Sequence, residues 1–194
     1  SQALSSSGSV YAWGGNQFGE CGDGTTTNRL TAVQVIGVGG TGYLSGITKL
    51  AGGDGYYADC GLALGSNGRV YAWGYNAFGQ LGVGNTTNSS TPQLVKGVGG
   101  TGYLENIIDV ACGGYHCFAL DSSGTVYTWG NNSSEAPIGD GTSTQRTTPV
   151  KVKGVGNSGY LSNIVAIGGE RFGGSAMDSD GNVYAWSGNQ SYQV

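Results

Sequence analysis

Apolar and polar residues alternate in short runs along this chain, and one such run returns four times. It reads Gly8-Ser-Val-Tyr-Ala-Trp13-Gly, Gly68-Arg-Val-Tyr-Ala-Trp73-Gly, Gly124-Thr-Val-Tyr-Thr-Trp129-Gly and Gly181-Asn-Val-Tyr-Ala-Trp186-Ser. The tryptophans stand 60, 56 and 57 residues apart. A period of that length marks a supersecondary unit that buries its apolar faces against its neighbours. Within one unit the pattern predicts four short strands. Residues 107–112 form a β-prone apolar run that ends at Gly113-Gly114, and residues 118–120 form a second. Asp121-Ser-Ser-Gly124 is a tight turn with glycine where a positive φ is needed, and residues 125–129 are the third strand. A polar loop over 130–148 leads to the fourth, 149–153, whose proline is expected as the first residue of an outer edge strand. Period two along the third strand puts Tyr127 and Trp129 on one face, Val126 and Thr128 on the other.

Four short antiparallel strands per unit is the pattern of a propeller blade, so the chain is expected to be an all-β propeller array. The blade segments fall at about 1–37, 47–96, 107–153 and 164–194. The first begins at a second strand and lacks an inner one; the last stops before its fourth. Two whole blades and two partial ones cannot close a ring. The expectation is therefore a segment of a longer ring, or one part of an assembly, because bare sheet edges are sticky. The links ending in Tyr43-Leu44, Tyr103-Leu104 and Tyr160-Leu161 join each fourth strand to the next first, and both residues of each pair are expected to be buried between blades.

Composition sharpens this picture. Glycine supplies 40 of the 194 residues, a level that often signals disorder, but here it recurs in register with Val-Tyr-x-Trp and so marks required turns. Net charge is −4 and the eight Lys and Arg are scattered, so the clustered cations that a nucleic-acid backbone needs are absent. No stretch reaches the length of an apolar membrane span. The four cysteines show no recognisable disulfide spacing; Cys21 takes the place of Leu81 in the next copy and reads as a small apolar filler.

Two phrases carry a family likeness. Val110-Ala-Cys-Gly-Gly-Tyr-His116-Cys-Phe-Ala-Leu120 and Trp73-Gly-Tyr-Asn-Ala-Phe-Gly-Gln-Leu-Gly82 resemble the regulator of chromosome condensation repeat, and the likeness extends from Ala3 to Trp186. It implies a β-propeller, seven-bladed in the best-known members, with each blade starting on its inner strand. It also admits guanine-nucleotide exchange on a small GTPase. The copies depart from the pattern in places. His116 is met by Cys60 and Gly173 in the sister copies, and Asn132-Ser-Ser-Glu-Ala-Pro-Ile-Gly interrupts the third long loop.

Catalytic signals are weak. There is one histidine, and no nucleophile–base arrangement accompanies it. Cys112-Gly-Gly-Tyr-His116-Cys117 has metal-ligand residue types, yet no second ligand cluster is visible along the sequence, and no metal is expected. Asp178-Ser-Asp-Gly-Asn182 resembles the start of a calcium loop but aligns with hairpin turns in the other copies and lacks the terminal acid. No glycine-rich loop precedes a helix, so no cofactor is expected, and a small-molecule ligand is disfavoured. The sequons at Asn85, Asn88, Asn131, Asn132 and Asn189 are read only as exposed loops. The tryptophans occupy strand positions of the repeat, which argues against light sensing. What remains is surface. The hairpins between first and second strands carry Tyr56, Tyr57, Tyr115, Arg171 and Phe172, aromatic and arginine anchors of the kind protein interfaces use. The function read from the residues is a non-enzymatic scaffold that binds a protein partner, or copies of itself, through this loop face. The alternatives are the exchange-factor module, a structural protein assembling head to tail through open blade edges, and glycan binding by the loop aromatics. The polar, Thr- and Asn-rich loops point to a secreted or surface location, with a cytoplasmic or nuclear one as the alternative.

Overall fold

A computed structural model describes residues 1–52, 60–133 and 137–187. Its strands form four antiparallel sheets, and each sheet follows the chain without crossovers. The first holds β1 (Gln2–Leu4), β2 (Val10–Gly14) and β3 (Arg29–Gln34). The second holds β4 (Ile47–Gly52), β5 (Cys60–Gly65), β6 (Val70–Gly74) and β7 (Ser89–Leu94). The third holds β8 (Ile107–Cys112), β9 (His116–Asp121), β10 (Val126–Gly130) and β11 (Arg146–Lys151). The fourth holds β12 (Ile164–Glu170), β13 (Gly173–Asp178) and β14 (Val183–Ser187). The leading strands β4, β8 and β12 pack against one another in succession, as inner strands around an axis do. This is a partial β-propeller.

The core lies between sheets. Leu62, Leu64, Val70 and Ala72 of the second sheet meet Val110, Cys117, Ala119 and Trp129 of the third, and similar clusters fill the other two junctions. Sheets covered on both faces bury their tryptophans: Trp73 and Trp129 are fully enclosed, whereas Trp13 in the first sheet is 36% exposed. Each junction repeats the same backbone bonds. Ile47 N donates to Gly8 O, Ile107 N to Gly68 O and Ile164 N to Gly124 O, so the turn between second and third strands of one blade grips the inner strand of the next. Gly68 and Gly124 hold φ of +72° and +80° in those turns, the left-handed conformation the pattern demanded.

The structure corrects two local expectations. Pro149 is the fourth residue of β11, not its first. The register runs Thr128↔Val150 and then Gly130↔Arg146, so three residues of the edge strand stand opposite Trp129 alone. Pro149 sits in that bulge, as Pro92 does in β7, where a missing N–H breaks no ladder bond. The Tyr-Leu pairs also divide. Leu44, Leu104 and Leu161 are buried, but Tyr43, Tyr103 and Tyr160 are exposed. A single bridge (Ile36↔Tyr43, Lys96↔Tyr103, Lys153↔Tyr160) turns each leucine inward and its tyrosine outward, and Lys96 and Lys153 lie over the rings of Tyr103 and Tyr160.

Candidate functional site

In a four-stranded antiparallel blade the hairpin from first to second strand and the loop from third to fourth emerge at the same end. The long loops there are organised by one buried asparagine each. Asn76 Nδ2 donates to Asn85 O (3.1 Å) and Thr87 O (2.9 Å), and its Oδ1 accepts from Leu81 N (2.9 Å). Asn16 and Asn132 do the same in their loops, tying outgoing and returning arms together. Asn132, one of the sequon asparagines read as exposed, is therefore buried and engaged. In the first and third loops a carboxylate adds an ion pair, Asp23 with Arg29 and Asp140 with Arg146 (2.6 Å for the latter). Burial pushes Asp140 up, but hydrogen bonds from Thr142 and Arg146 outweigh it and hold the carboxyl below its ordinary range. In the second loop Val83 and Ser89 stand at those two positions, and the Asn85 side chain takes over part of the bonding.

These loops present aromatic rings. Phe18 and Tyr75 have centroids 4.9 Å apart, Phe78 and Tyr115 5.0 Å, and Tyr75 and Tyr115 6.3 Å in an edge contact. All four residues are half-buried, so the patch crosses the first three blades with part of each ring in solvent. Tyr115 is thus placed among rings that the sequence reading passed over. Phe18, Tyr75 and Phe78 all lie within the repeat signature, which does not distinguish a presented ring from a packed one. Arg171 and Phe172 are exposed on the neighbouring hairpin, the guanidinium 5.1 Å from the Phe172 ring centroid, beside a recess of about 400 Å³. The Arg171 carbonyl accepts from Gly114 N at 3.2 Å, which fixes the two hairpins side by side. Tyr56 and Tyr57 lie outside the described residues.

His116 is buried, and its Nε2 is 2.8 Å from Gly173 O. Since a carbonyl only accepts, Nε2 carries the proton, and the ring ties the third blade to the fourth. Cys112 and Cys117, directly opposite each other in β8 and β9, form a disulfide that sequence spacing had not indicated. Cys60 Sγ lies 3.8 Å from Cys117 Sγ. Cys21 is buried in the first junction as a filler, and burial above all pushes its thiol pKa up. Asp178 is engaged as a turn carboxylate. It accepts from Asn182 Nδ2, Tyr184 Oη and the amides of Asp180 and Asn182, which together hold it down to about 2.

Sheets of this order, packed inner strand to inner strand with long loops gathered at one end, define the class: a run of propeller blades. The family model described as the regulator of chromosome condensation (RCC1) repeat matches residues 7–58 and 67–120, and a second model of the same repeat matches 47–80 and 107–135. The chain belongs to this family. It is 31% identical over 199 residues to the human E3 ubiquitin-protein ligase HERC2, covering all of this chain and 4% of that protein. It is 29% identical to the Arabidopsis thaliana ultraviolet-B receptor UVR8, covering 76% of this chain and 30% of the receptor. Among solved structures, human WBSCR16 superposes with a TM-score of 0.75 at 23% identity, covering 96% of this chain and 44% of that one. Prp20p from Saccharomyces cerevisiae, in a structure reported with its binding properties to Gsp1p and histones, superposes with a TM-score of 0.72 at 20% identity, covering 100% of this chain and 44% of that one. The chain thus spans less than half of each of these relatives.

Proposed function

We propose that this chain is a non-catalytic propeller segment that binds a protein partner through the face built by its long loops and its first-to-second-strand hairpins. The observation that carries the reading is the half-buried ring patch of Phe18, Tyr75, Phe78 and Tyr115, with Arg171 and Phe172 exposed beside it. Rigid aromatics held by a hydrogen-bonded loop frame give contact area at low entropic cost, and arginine and aromatic side chains dominate interface energetics. Related propellers are described as bound to proteins: Kap60 on yeast RCC1, Gsp1p and histones with Prp20p. Those structures are about 20% identical to this chain and lend it a fold, so exchange-factor activity is not carried over. Ligase activity is not carried over either, since the match takes in 4% of HERC2. A secreted or surface location belongs to the proposal. It is supported by the polar loops and by the Cys112–Cys117 disulfide, since such bonds persist in oxidising compartments.

The test is capture of partners from extract of the source cells, quantified by mass spectrometry. Arg171→Ala and Phe172→Ala are exposed changes on the proposed face; Ser66→Ala and Asp180→Ala are controls on the opposite one. Loss of a partner with the first pair alone supports the reading. Loss with the second pair alone refutes it.

A further inference from the structure

At one level of the propeller the blades differ in a concerted way. The cross-strand pair is Gly52↔Gly61 in the second sheet and Gly169↔Gly174 in the fourth, but Cys112↔Cys117 in the third. One residue before this pair, on the second strand, stand His116 and Gly173 in the third and fourth sheets, but Cys60 in the second. Three departures from the repeat, on two blades, bring three sulfurs within 4.8 Å of one another.

We propose that, once the Cys112–Cys117 bond is reduced, these three sulfurs form a binding site for a soft closed-shell cation, Zn²⁺ or Cu⁺, bridging the second and third blades. A cation about 2.3 Å from each of three thiolates holds the sulfurs about 3.8–4.0 Å apart. Cys60 and Cys117 already stand at 3.8 Å. Breaking the disulfide lets Cys112 and Cys117 relax outward towards the same spacing. Thiolates select copper(I) and zinc over harder ions. Cys112 is half-buried and gives the ion a route in, while Cys60 and Cys117 are buried and shield it from solvent. In the reduction a trialkylphosphine delivers two electrons, takes its oxygen from water and leaves two thiols. The cation then forms three metal–sulfur bonds as three thiol protons pass to solvent. This inference is independent of partner binding and of the proposed secreted location, because the site forms only where the chain meets reducing conditions.

The experiment uses the whole chain, reduced with a phosphine, freed of reductant under inert gas and titrated with Co²⁺ as a spectroscopic probe, then with Zn²⁺, which binds thiolate sites more tightly, in competition. The expected result is a thiolate-to-metal charge-transfer band that saturates at one equivalent, is removed by Zn²⁺, and is absent from the oxidised chain. Cys60→Ser should weaken binding by at least the roughly 10- to 100-fold that losing even an outer-shell partner costs a metal site. Cys21→Ala should bind as the parent does. No saturating band in the reduced parent chain overturns the proposal, as does a Cys60→Ser protein that binds equally well. If Cys60→Ser loses its sheet signal in circular dichroism, Cys112→Ser at the half-buried position supplies the same comparison.

Discussion

Replacing Asn76 by alanine probes the device that builds the loop face. The side chain is fully buried and spans the loop, with two donations to Asn85 O and Thr87 O and one acceptance from Leu81 N. Three intramolecular hydrogen bonds of about 0.5–1.5 kcal/mol each are lost, together with a longer contact from Nδ2 to Asn85 Oδ1 at 3.3 Å. The Leu81 amide, in a fully buried residue, is left without its acceptor, a penalty of about 1–3 kcal/mol. Water entering the vacated space recovers part of this, which leaves a net cost of about 3–5 kcal/mol, a large share of a typical domain's stability. The backbone bond from Asn76 N to Asn88 Oδ1 does not involve the replaced side chain, so the loop should fray in its middle and keep its base. Urea unfolding measures the loss, and limited proteolysis should locate new cleavage within 77–87. Because Tyr75 and Phe78 ride on this loop, partner capture should fall along with stability. A change below about 1 kcal/mol with no new cleavage would refute the bonding argument, since a buried amide cannot be that replaceable.

Three further outcomes follow from the same geometry. Asp23, Asp140 and Asp178 have folded-state pKa values below 3.8, so the unfolded chain takes up protons first. Their contribution is complete above the ordinary carboxylate range and is lost as pH falls from near 3.8 towards about 2, the Asp178 value. Thermal melts across that window should show a steep decline that Asp178→Asn makes shallower. Gly82→Ala places a methyl group 2.8 Å from Trp129 Nε1 at a φ of +67°, whereas Gly99→Ala at +69° meets nothing within 4 Å. The second should cost about 1–2 kcal/mol and the first about 1–3 kcal/mol more, compared by chemical denaturation. Trp129 Nε1 donates to Gln80 O at 2.8 Å, while the buried Trp186 Nε1 has no acceptor among the described residues. Trp129→Phe should therefore lose about 1 kcal/mol more through hydrogen bonding than Trp186→Phe does, a difference to be read from paired melts.

How much of this was legible in the sequence depends on the range of the physics involved. Turn glycines and period-two strands are local, and the inner, second and third strands came out within a residue or two. Pro149 was misplaced because its tolerance depends on a bulge opposite Trp129, which is a pairing event and not a propensity. The Tyr-Leu pairs could not be divided from composition, since either residue suits burial and only the bridge at Tyr43, Tyr103 and Tyr160 decides which one points in. Asn132 looked like any loop asparagine until its buried bonds were seen. The meeting of Cys60 and Cys117 was hidden by a sequence separation of 57 positions and by offsets that differ by one residue within the repeat. The ring patch was concealed differently: Phe18 and Phe78 belong to the family signature, and a residue that identifies a repeat is readily mistaken for one that only builds it.

That overlap has a mechanical consequence. Trp73 donates to Glu20 O and Trp129 to Gln80 O, so in the second and third blades the strand tryptophan is anchored in the loop of the blade before it. Those loops are the ones whose frame asparagines, Asn16 and Asn76, hold Phe18, Tyr75 and Phe78 in place. The segments that seal the blade junctions are therefore also the segments that present the aromatic surface, and most substitutions there must change stability and recognition together. Arg171 and Phe172 escape this coupling, because their side chains are exposed while the backbone carbonyls of Arg171 and Gly173 tie the hairpin to its neighbour. They are the positions at which the proposed partner binding should change with the blades left intact.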